Sequence, residues 1–419
     1  MEEQHCMNKE GLGKSSVYFH PDDFTERYVE GRPLRRTVRA EGFAIDYVHE
    51  PYDPPGINRV NITAGGLHVE LLPSKGMSVG RVRYKGRSLL WPSLLDVLPD
   101  PAEVDLSGPL IWNGEPVSGF GFIEYLVGGV MMFGLGNWGM PYEDGETGEK
   151  FTLHGEVSNI PVEGMTIRTG SASLEVSGEF FIHDGLGDAD AVWYKRGNRL
   201  YRVTKRVAVE KKRSIVSVTD TISNVSGRTL EPDWGYSIKF HAEEGTEYLV
   251  PGTSVSLRSG GTPGQAHEMW RAAEVESVRE ERGFIHKGLR VKENLLNGKG
   301  VETLIRHKNG EGVRVVVPRA PYFLSWFSSG GRGSREFMLP GDTEKRPMKV
   351  FEKNWNGVGP EFGISALDHD GNVDTGVERT VLEPGNSFTA GFFFQPISRD
   401  EVRALESDIR VFNKARKLG

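Results

Sequence analysis

Apolar and polar residues alternate one by one in short runs along most of this chain, and that pattern constrains its fold more than any other feature. Tyr201, Val203, Lys205, Val207 and Val209 line one side of a stretch whose other side carries Arg202, Thr204 and Arg206. Val60 and Ile62, Ala172 with Leu174 and Val176, Val216 and Val218, Val313 to Val317, and Phe388, Ala390, Phe392 and Phe394 repeat the pattern. A period of two belongs to a β-strand, whose successive side chains point to opposite faces. Turn chemistry separates the runs at Tyr84-Lys85-Gly86, Lys308-Asn309-Gly310, Asp370-Gly371-Asn372 and Glu383-Pro384-Gly385. Asn309-Gly310, between Ile305 and Val313, predicts a hairpin tip.

One amphipathic helix is predicted, at the C-terminal end. Ser398 caps it, Glu401 completes a capping box, and Val402, Leu405, Ile409 and Phe412 form one apolar face. Shorter helical turns are expected near Ser93–Pro101 and Gln265–Ala273. Neither an internal repeat nor a low-complexity linker divides the chain. The expectation is an all-β protein: an N-terminal extension over 1–44, one large antiparallel β-sandwich over 45–395, and the helix packed on it over 396–419.

Composition narrows the function classes. With 37% hydrophobic residues the chain has enough apolar material for a large core, which excludes intrinsic disorder. Cys6 is the single cysteine, so there is no internal disulfide and no cysteine-rich zinc site. The net charge of −7, spread along the chain without a long basic run, makes nucleic acid a poor partner. The Tyr125–Met140 window is the most apolar, but it is glycine-rich and too short to span a bilayer. The polar opening Met1–Cys6 shows no secretory pattern, and the expected location is the cytoplasm, with no membrane partner.

Three constellations could carry chemistry. In Leu153-His154-Gly155-Glu156, read as extended, the His and Glu point to the same side. They could act together on one ligand, bind a metal, or form a polar strand end with a satisfied histidine. No third ligand falls at a recognisable spacing, so no metal is expected. In Asp233-Trp234-Gly235-Tyr236-Ser237-Ile238-Lys239-Phe240-His241, alternation puts Asp233, Gly235, Ser237, Lys239 and His241 on one face, suited to a polar ligand or simply to solvent. Trp112, Trp138, Trp234, Trp326 and Trp355 offer rings on which sugars stack, although core packing is the default for any one of them. No P-loop, dinucleotide fingerprint or nucleophile elbow is present.

Taken in series, Leu72-Pro73-Ser74-Lys75-Gly76-Met77, Leu90-Trp91-Pro92-Ser93, Gly128-Gly129-Val130-Met131-Met132-Phe133-Gly134, Gly139-Met140-Pro141 and Leu153-His154-Gly155 resemble the DUF4432 branch of the aldose 1-epimerase-like proteins. Asp220, Asn224 and Tyr236–Phe240 fall where its next motif lies. The resemblance implies the galactose mutarotase-like supersandwich, a free sugar as the small-molecule partner, and acid-base mutarotation with no cofactor. It also implies that His154 contacts the sugar.

Against that pattern, Lys75 stands where arginine is commoner and Glu156 where arginine is usual. Ser237 stands where a histidine acid is expected, and Ser365 where a glutamate base is expected. Glu361, Asp368 and His369 lie nearby, out of register. The expected catalytic residues are therefore His154, His241 and Glu156, with Lys75, Asp233, Trp234, Lys239, Trp326 and Ser365 contacting the sugar. The leading expectation is a mutarotase or epimerase; a non-catalytic sugar-binding protein is the alternative, and a lyase or hydrolase a weaker third. A homodimer is compatible with the sequence.

Overall fold

A computed structural model describes residues 15–19, 34–49, 57–91, 100–108, 110–112, 115–121, 128–143, 145, 148, 150–185, 191–243, 245–259, 281–295, 298–329, 336–337, 346–347, 356–367 and 378–416. Cys6, most of the expected turn at Ser93–Pro101, the whole of that at Gln265–Ala273, Trp355, Asp368, His369 and Asp370–Asn372 lie outside them.

Two large antiparallel sheets build the molecule. A 10-stranded sheet runs from Ser15–Phe19 through Gly164–Thr169, Ser173–His183, Arg199–Glu210, Ile215–Asn224, Ser387–Ile397, Gly312–Pro318 and Gly298–Arg306 to Glu247–Leu249, with Val291–Leu295 also paired to Gly298–Arg306. A 13-stranded sheet begins as a meander over Leu34–Ala40, Phe43–His49, Asn58–Ala64, Leu67–Leu72 and Ser78–Tyr84. It continues through Val130–Gly134, Trp234–Ile238, Asn356–Gly363, Tyr322–Ser329 and Glu281–Lys287 to Ser254–Ser259, with Arg87–Ser88 also paired to Ser78–Tyr84 and Phe240–Ala242 to Asn356–Gly363. Strands Ser15–Phe19 and Leu34–Ala40, assigned by sequence to an extension, pair with Gly164–Thr169 and Phe43–His49.

The period-two runs bury one face each between the sheets. Tyr201, Val203, Val207 and Val209 meet Val216, Val218, Phe392 and Phe394 within one continuous core that also holds Trp234, Tyr236, Ile238 and Phe240. Lys205, on the same face, is buried with them and joins a polar triad. Its Nζ donates to the Tyr236 hydroxyl at 2.9 Å, that hydroxyl donates to Asp220 Oδ2, and Asp220 Oδ1 lies 3.8 Å from Lys205 Nζ. Burial pulls the Lys205 pKa down and pushes that of Asp220 up, each opposed by the other's charge.

The hairpin at Asn309-Gly310 forms as expected: Ile305 pairs with Val313, and Gly310 takes a φ of 82°, which glycine adopts without strain. The helix spans Arg399–Arg416. The Ser398 amide donates to the Glu401 carboxylate at 2.8 Å and the Glu401 amide to Ser398 Oγ at 3.4 Å, completing the capping box. Val402, Leu405 and Ile409 pack on Leu249, Leu304 and Ile397.

Candidate functional site

The face of the 13-stranded sheet turned away from the core carries the site. Alternation in Asn356–Gly363 sends Val358 and Phe362 into the core and leaves Gly357, Gly359, Glu361 and Gly363 on the other face. Alternation in the neighbouring Tyr322–Ser329 does the same, with Phe323 and Phe327 inward and Tyr322, Leu324 and Trp326 outward.

Register then fixes the neighbours. Phe133 pairs with Gly235, Gly235 with Gly363, and Gly363 with Tyr322. In the next outward-facing row, Met131 pairs with Ser237, Ser237 with Glu361, and Glu361 with Leu324. Ser237 Oγ donates to Glu361 Oε1 at 3.1 Å. Continuing that register puts Lys239 opposite Gly359, which pairs with Trp326. The Lys239 ammonium lies 5.5 Å from the Phe133 ring centre and 5.6 Å from that of Trp326, against two ring faces that attract a cation. Trp91 packs edge-on against Trp326 at 5.8 Å.

Trp138 covers Gly235 and Gly363. A Cβ at Gly235 would fall 2.0 Å from its ring, so only glycine admits the indole there. Asp233 holds the loop that places Trp138: its carboxylate accepts the Gly136 amide at 3.2 Å and the Trp138 amide at 2.5 Å. Burial raises the Asp233 pKa to about 6, although those amide hydrogen bonds pull the other way.

The Trp138 carbonyl in turn faces His154 Nδ1 at 2.8 Å, and the imidazole stacks on Phe133 with ring centres 4.2 Å apart. A carbonyl only accepts, so Nδ1 carries the proton and Nε2 is left as an acceptor. Burial lowers the His154 pKa to about 3, against the Trp138 carbonyl bond and with Lys239 and Arg258 adding to the fall. The ring is therefore neutral at physiological pH.

His154 and Glu156 do not share one side of a strand. His154 has φ 59° and Gly155 φ 72°, so the chain turns there, leaving His154 half-buried and Glu156 exposed at the start of the 3-10 turn Val157–Asn159. What approaches Gly155 closely is the Gly134 and Asn137 backbone.

Trp234 is buried in the core against Tyr236, Phe362 and Phe388, where it cannot stack on a ligand; the alternation of its own strand requires this. His241 shares the face of Lys239 but lies six residues along from Gly235, roughly 20 Å at about 3.4 Å per residue. Its electrostatic neighbours are Glu243 and His307, whereas those of His154 are Lys239 and Arg258. The two histidines thus sit among different charged groups.

Lys75 is fully buried and donates to Asn159 Oδ1 in the turn after His154; burial lowers its pKa to about 7, opposed by Asp100. Ser365 is half-buried at the bend after Asn356–Gly363.

Three residues outside the expected site set also belong to this face. Glu361 was set out of register, although its strand's alternation marks it as outward. Tyr322 is buried beside Trp138, and its hydroxyl has no hydrogen-bond partner among the described residues. Burial holds the Tyr322 pKa well above the usual phenol value, with Arg258 opposing the rise and Glu361 adding to it. Arg258 enters from the strand Ser254–Ser259. Among the described residues, no group of three or more His, Cys, Asp or Glu is arranged to hold a metal, and no helix is long and apolar enough to cross a membrane.

No curated protein matches the sequence. Solved structures do resemble the fold. A candidate aldose 1-epimerase from Klebsiella pneumoniae subsp. pneumoniae MGH 78578 superposes with a TM-score of 0.66 at 15% identity, covering 96% of each chain. A galactose mutarotase-like protein from Clostridium acetobutylicum gives 0.50 at 12% identity over 87% of this chain and 99% of its own. Galactose 1-epimerase from Lactobacillus acidophilus NCFM gives 0.50 at 12% identity over 88% of this chain and all of its own. At these identities the likeness establishes the galactose mutarotase-like fold. Residues 55–334 match the family model described as Domain of unknown function (DUF4432), and the chain belongs to that family.

Proposed function

We propose that this protein is a sugar isomerase that interconverts the anomers or epimers of a free monosaccharide by acid-base chemistry. The observation that carries the reading is the placement of Glu361 and Tyr322. They lie on adjacent strands of the outer face, diagonal to one another across the pairs Gly363–Tyr322 and Glu361–Leu324. Diagonal neighbours on one face are separated by about 7–8 Å, a span that a pyranose ring can bridge. A carboxylate and a protonated hydroxyl at such a spacing are the two groups that mutarotation needs.

In this reading Glu361 takes the proton from the anomeric hydroxyl, and Tyr322 donates to the ring oxygen as the C1–O5 bond breaks. The ring opens to the aldehyde, the C1–C2 bond turns, and the ring recloses with both proton transfers reversed. Neutral His154 receives a sugar hydroxyl on Nε2. Trp326 and Lys239 supply a ring face and a cation beside the same carboxylate, and Ser237 holds Glu361 in place. Glu156, exposed beyond a left-handed turn, and His241, at the far end of the face, have no part in the proton transfers.

The test is anomer exchange by NMR on a panel of monosaccharides, with wild type, Tyr322→Phe and Glu361→Gln compared. Exchange well above the spontaneous rate, lost in both variants while they stay folded, supports the reading. Ligand-induced stabilisation with no acceleration would make the protein a sugar-binding protein instead.

A further inference from the structure

Lys239 and Arg258 both belong to this face, and Arg258 is aimed by a break in the sheet. Strand Ser254–Ser259 pairs Leu257 with Phe284 and then Ser259 with Gly283, so Arg258 is the extra residue of a bulge at the sheet edge. A bulge re-aims the side chain it carries. Alternation sets Arg258 on the outer face, opposite Leu257, which packs on the core.

The strand between Arg258 and Trp326 presents Gly283 in that row, and Gly283 pairs with Trp326. Arg258 and Trp326 thus stand in one row, two strand spacings or roughly 10 Å apart at about 4.8 Å each, with a glycine between them. Its charge acts on both Tyr322 and His154, the groups of this same site. Arg258 makes no hydrogen bond or ion pair with any described residue, and its Nε is buried without a partner. A buried guanidinium nitrogen with no partner among the described residues is costly unless a ligand supplies an acceptor.

Resting on the isomerase reading above, we infer that the substrate is a monosaccharide bearing an oxyanion substituent, whose charged group is bound by Arg258 together with Lys239. Arg258 provides a planar fork that matches a carboxylate, phosphate or sulfonate with two parallel hydrogen bonds, and Lys239 adds a point charge. Glu361 is the carboxylate of the same set, and it is held by Ser237 on the side of the reacting hydroxyl. Uronates, sugar 6-phosphates and 6-sulfonates share this chemistry.

The experiment measures binding by calorimetry and anomer exchange by NMR for glucose, galactose, glucuronate, galacturonate, glucose 6-phosphate and 6-deoxy-6-sulfoglucose. Wild type, Arg258→Met and Arg258→Lys are compared, each first checked for an unchanged melting temperature. At least one anionic sugar is expected to bind or turn over about 10- to 100-fold better than its neutral parent, the scale of one charge-assisted hydrogen bond. Arg258→Met should erase that advantage, and Arg258→Lys should restore part of it. Which anionic arm responds identifies the substituent.

Equal use of neutral and anionic sugars, or a preference that survives Arg258→Met, overturns the inference and leaves the isomerase reading standing. Arg258-dependent binding of an anionic sugar without faster exchange does the reverse. If no sugar of either kind binds, both fall.

Discussion

Ser237 and Glu361, 124 residues apart in the chain, face each other across neighbouring strands with the hydroxyl donating to the carboxylate at 3.1 Å. Both side chains are buried, so this bond fixes where the carboxylate points. Ser237→Ala removes it without adding bulk. Hydrogen bonds to charged groups contribute about 1.5–3 kcal/mol. Steady-state kinetics should therefore show kcat/KM down by roughly 10- to 100-fold in a protein that melts cooperatively. An unchanged kcat/KM would remove Ser237 from the account.

His154 is expected to stay neutral, with the proton on Nδ1, throughout the physiological range. Its folded pKa is lowered to about 3 from 6.5, so as pH falls the unfolded chain takes up this proton first. The stability contributed by the neutral ring is complete above pH 6.5 and is lost as the pH falls toward 3. Nitrogen-15 imidazole spectra should show an Nδ1-protonated ring at pH 5, and His154→Gln should flatten the pH dependence of stability between about 3 and 6.5. A ring that titrates near 6.5 would contradict the packing described for it.

The sheet was legible in the sequence because side-chain alternation is a local property that each strand displays on its own. Alternation also separated the two faces of Asp233–His241 correctly, which should have removed Trp234 from the list of sugar contacts. The hairpin at Asn309-Gly310 and the capping box at Ser398 were readable for the same reason: all their determinants lie within a few residues. The placement of Glu361 beside Ser237 was not, because it depends on which distant strands pair. Nor was the turn at His154, since a non-glycine residue takes φ 59° there only under tertiary restraint: its amide and carbonyl bond to Gly139 and Gly134. Arg258 was hidden because a bulge is defined by its partner strand.

Gly235 is predicted to tolerate no side chain. Gly235→Ala would bring a methyl group 2.0 Å from the Trp138 ring and 2.4 Å from the Phe362 carbonyl, forcing the indole to move. Overpacking of this kind costs about 1–3 kcal/mol, measurable by urea denaturation. The Trp138 carbonyl that orients His154 would move with it, so sugar affinity should fall along with stability. Retention of full affinity would show that His154 is positioned in some other way.

The triad of Lys205, Tyr236 and Asp220 lies between the sheets, beneath the strand that carries Ser237. Removing one member of a buried ion pair leaves the other uncompensated and costs about 3–5 kcal/mol. Lys205→Met and Asp220→Leu should each destabilise on that scale in denaturant titrations. The double variant should cost clearly less than their sum. Additive losses would show that the two charges are not coupled.

The most direct test of the isomerase account is the rate of anomer exchange in Glu361→Gln relative to wild type, measured on the best sugar from the panel. The account predicts clear acceleration by wild type, and loss of most of it in Glu361→Gln, general-base catalysis contributing roughly 10²- to 10⁴-fold, while sugar binding and melting temperature persist. Undiminished exchange in Glu361→Gln would contradict the account, because it would mean that the carboxylate placed among these groups carries no proton.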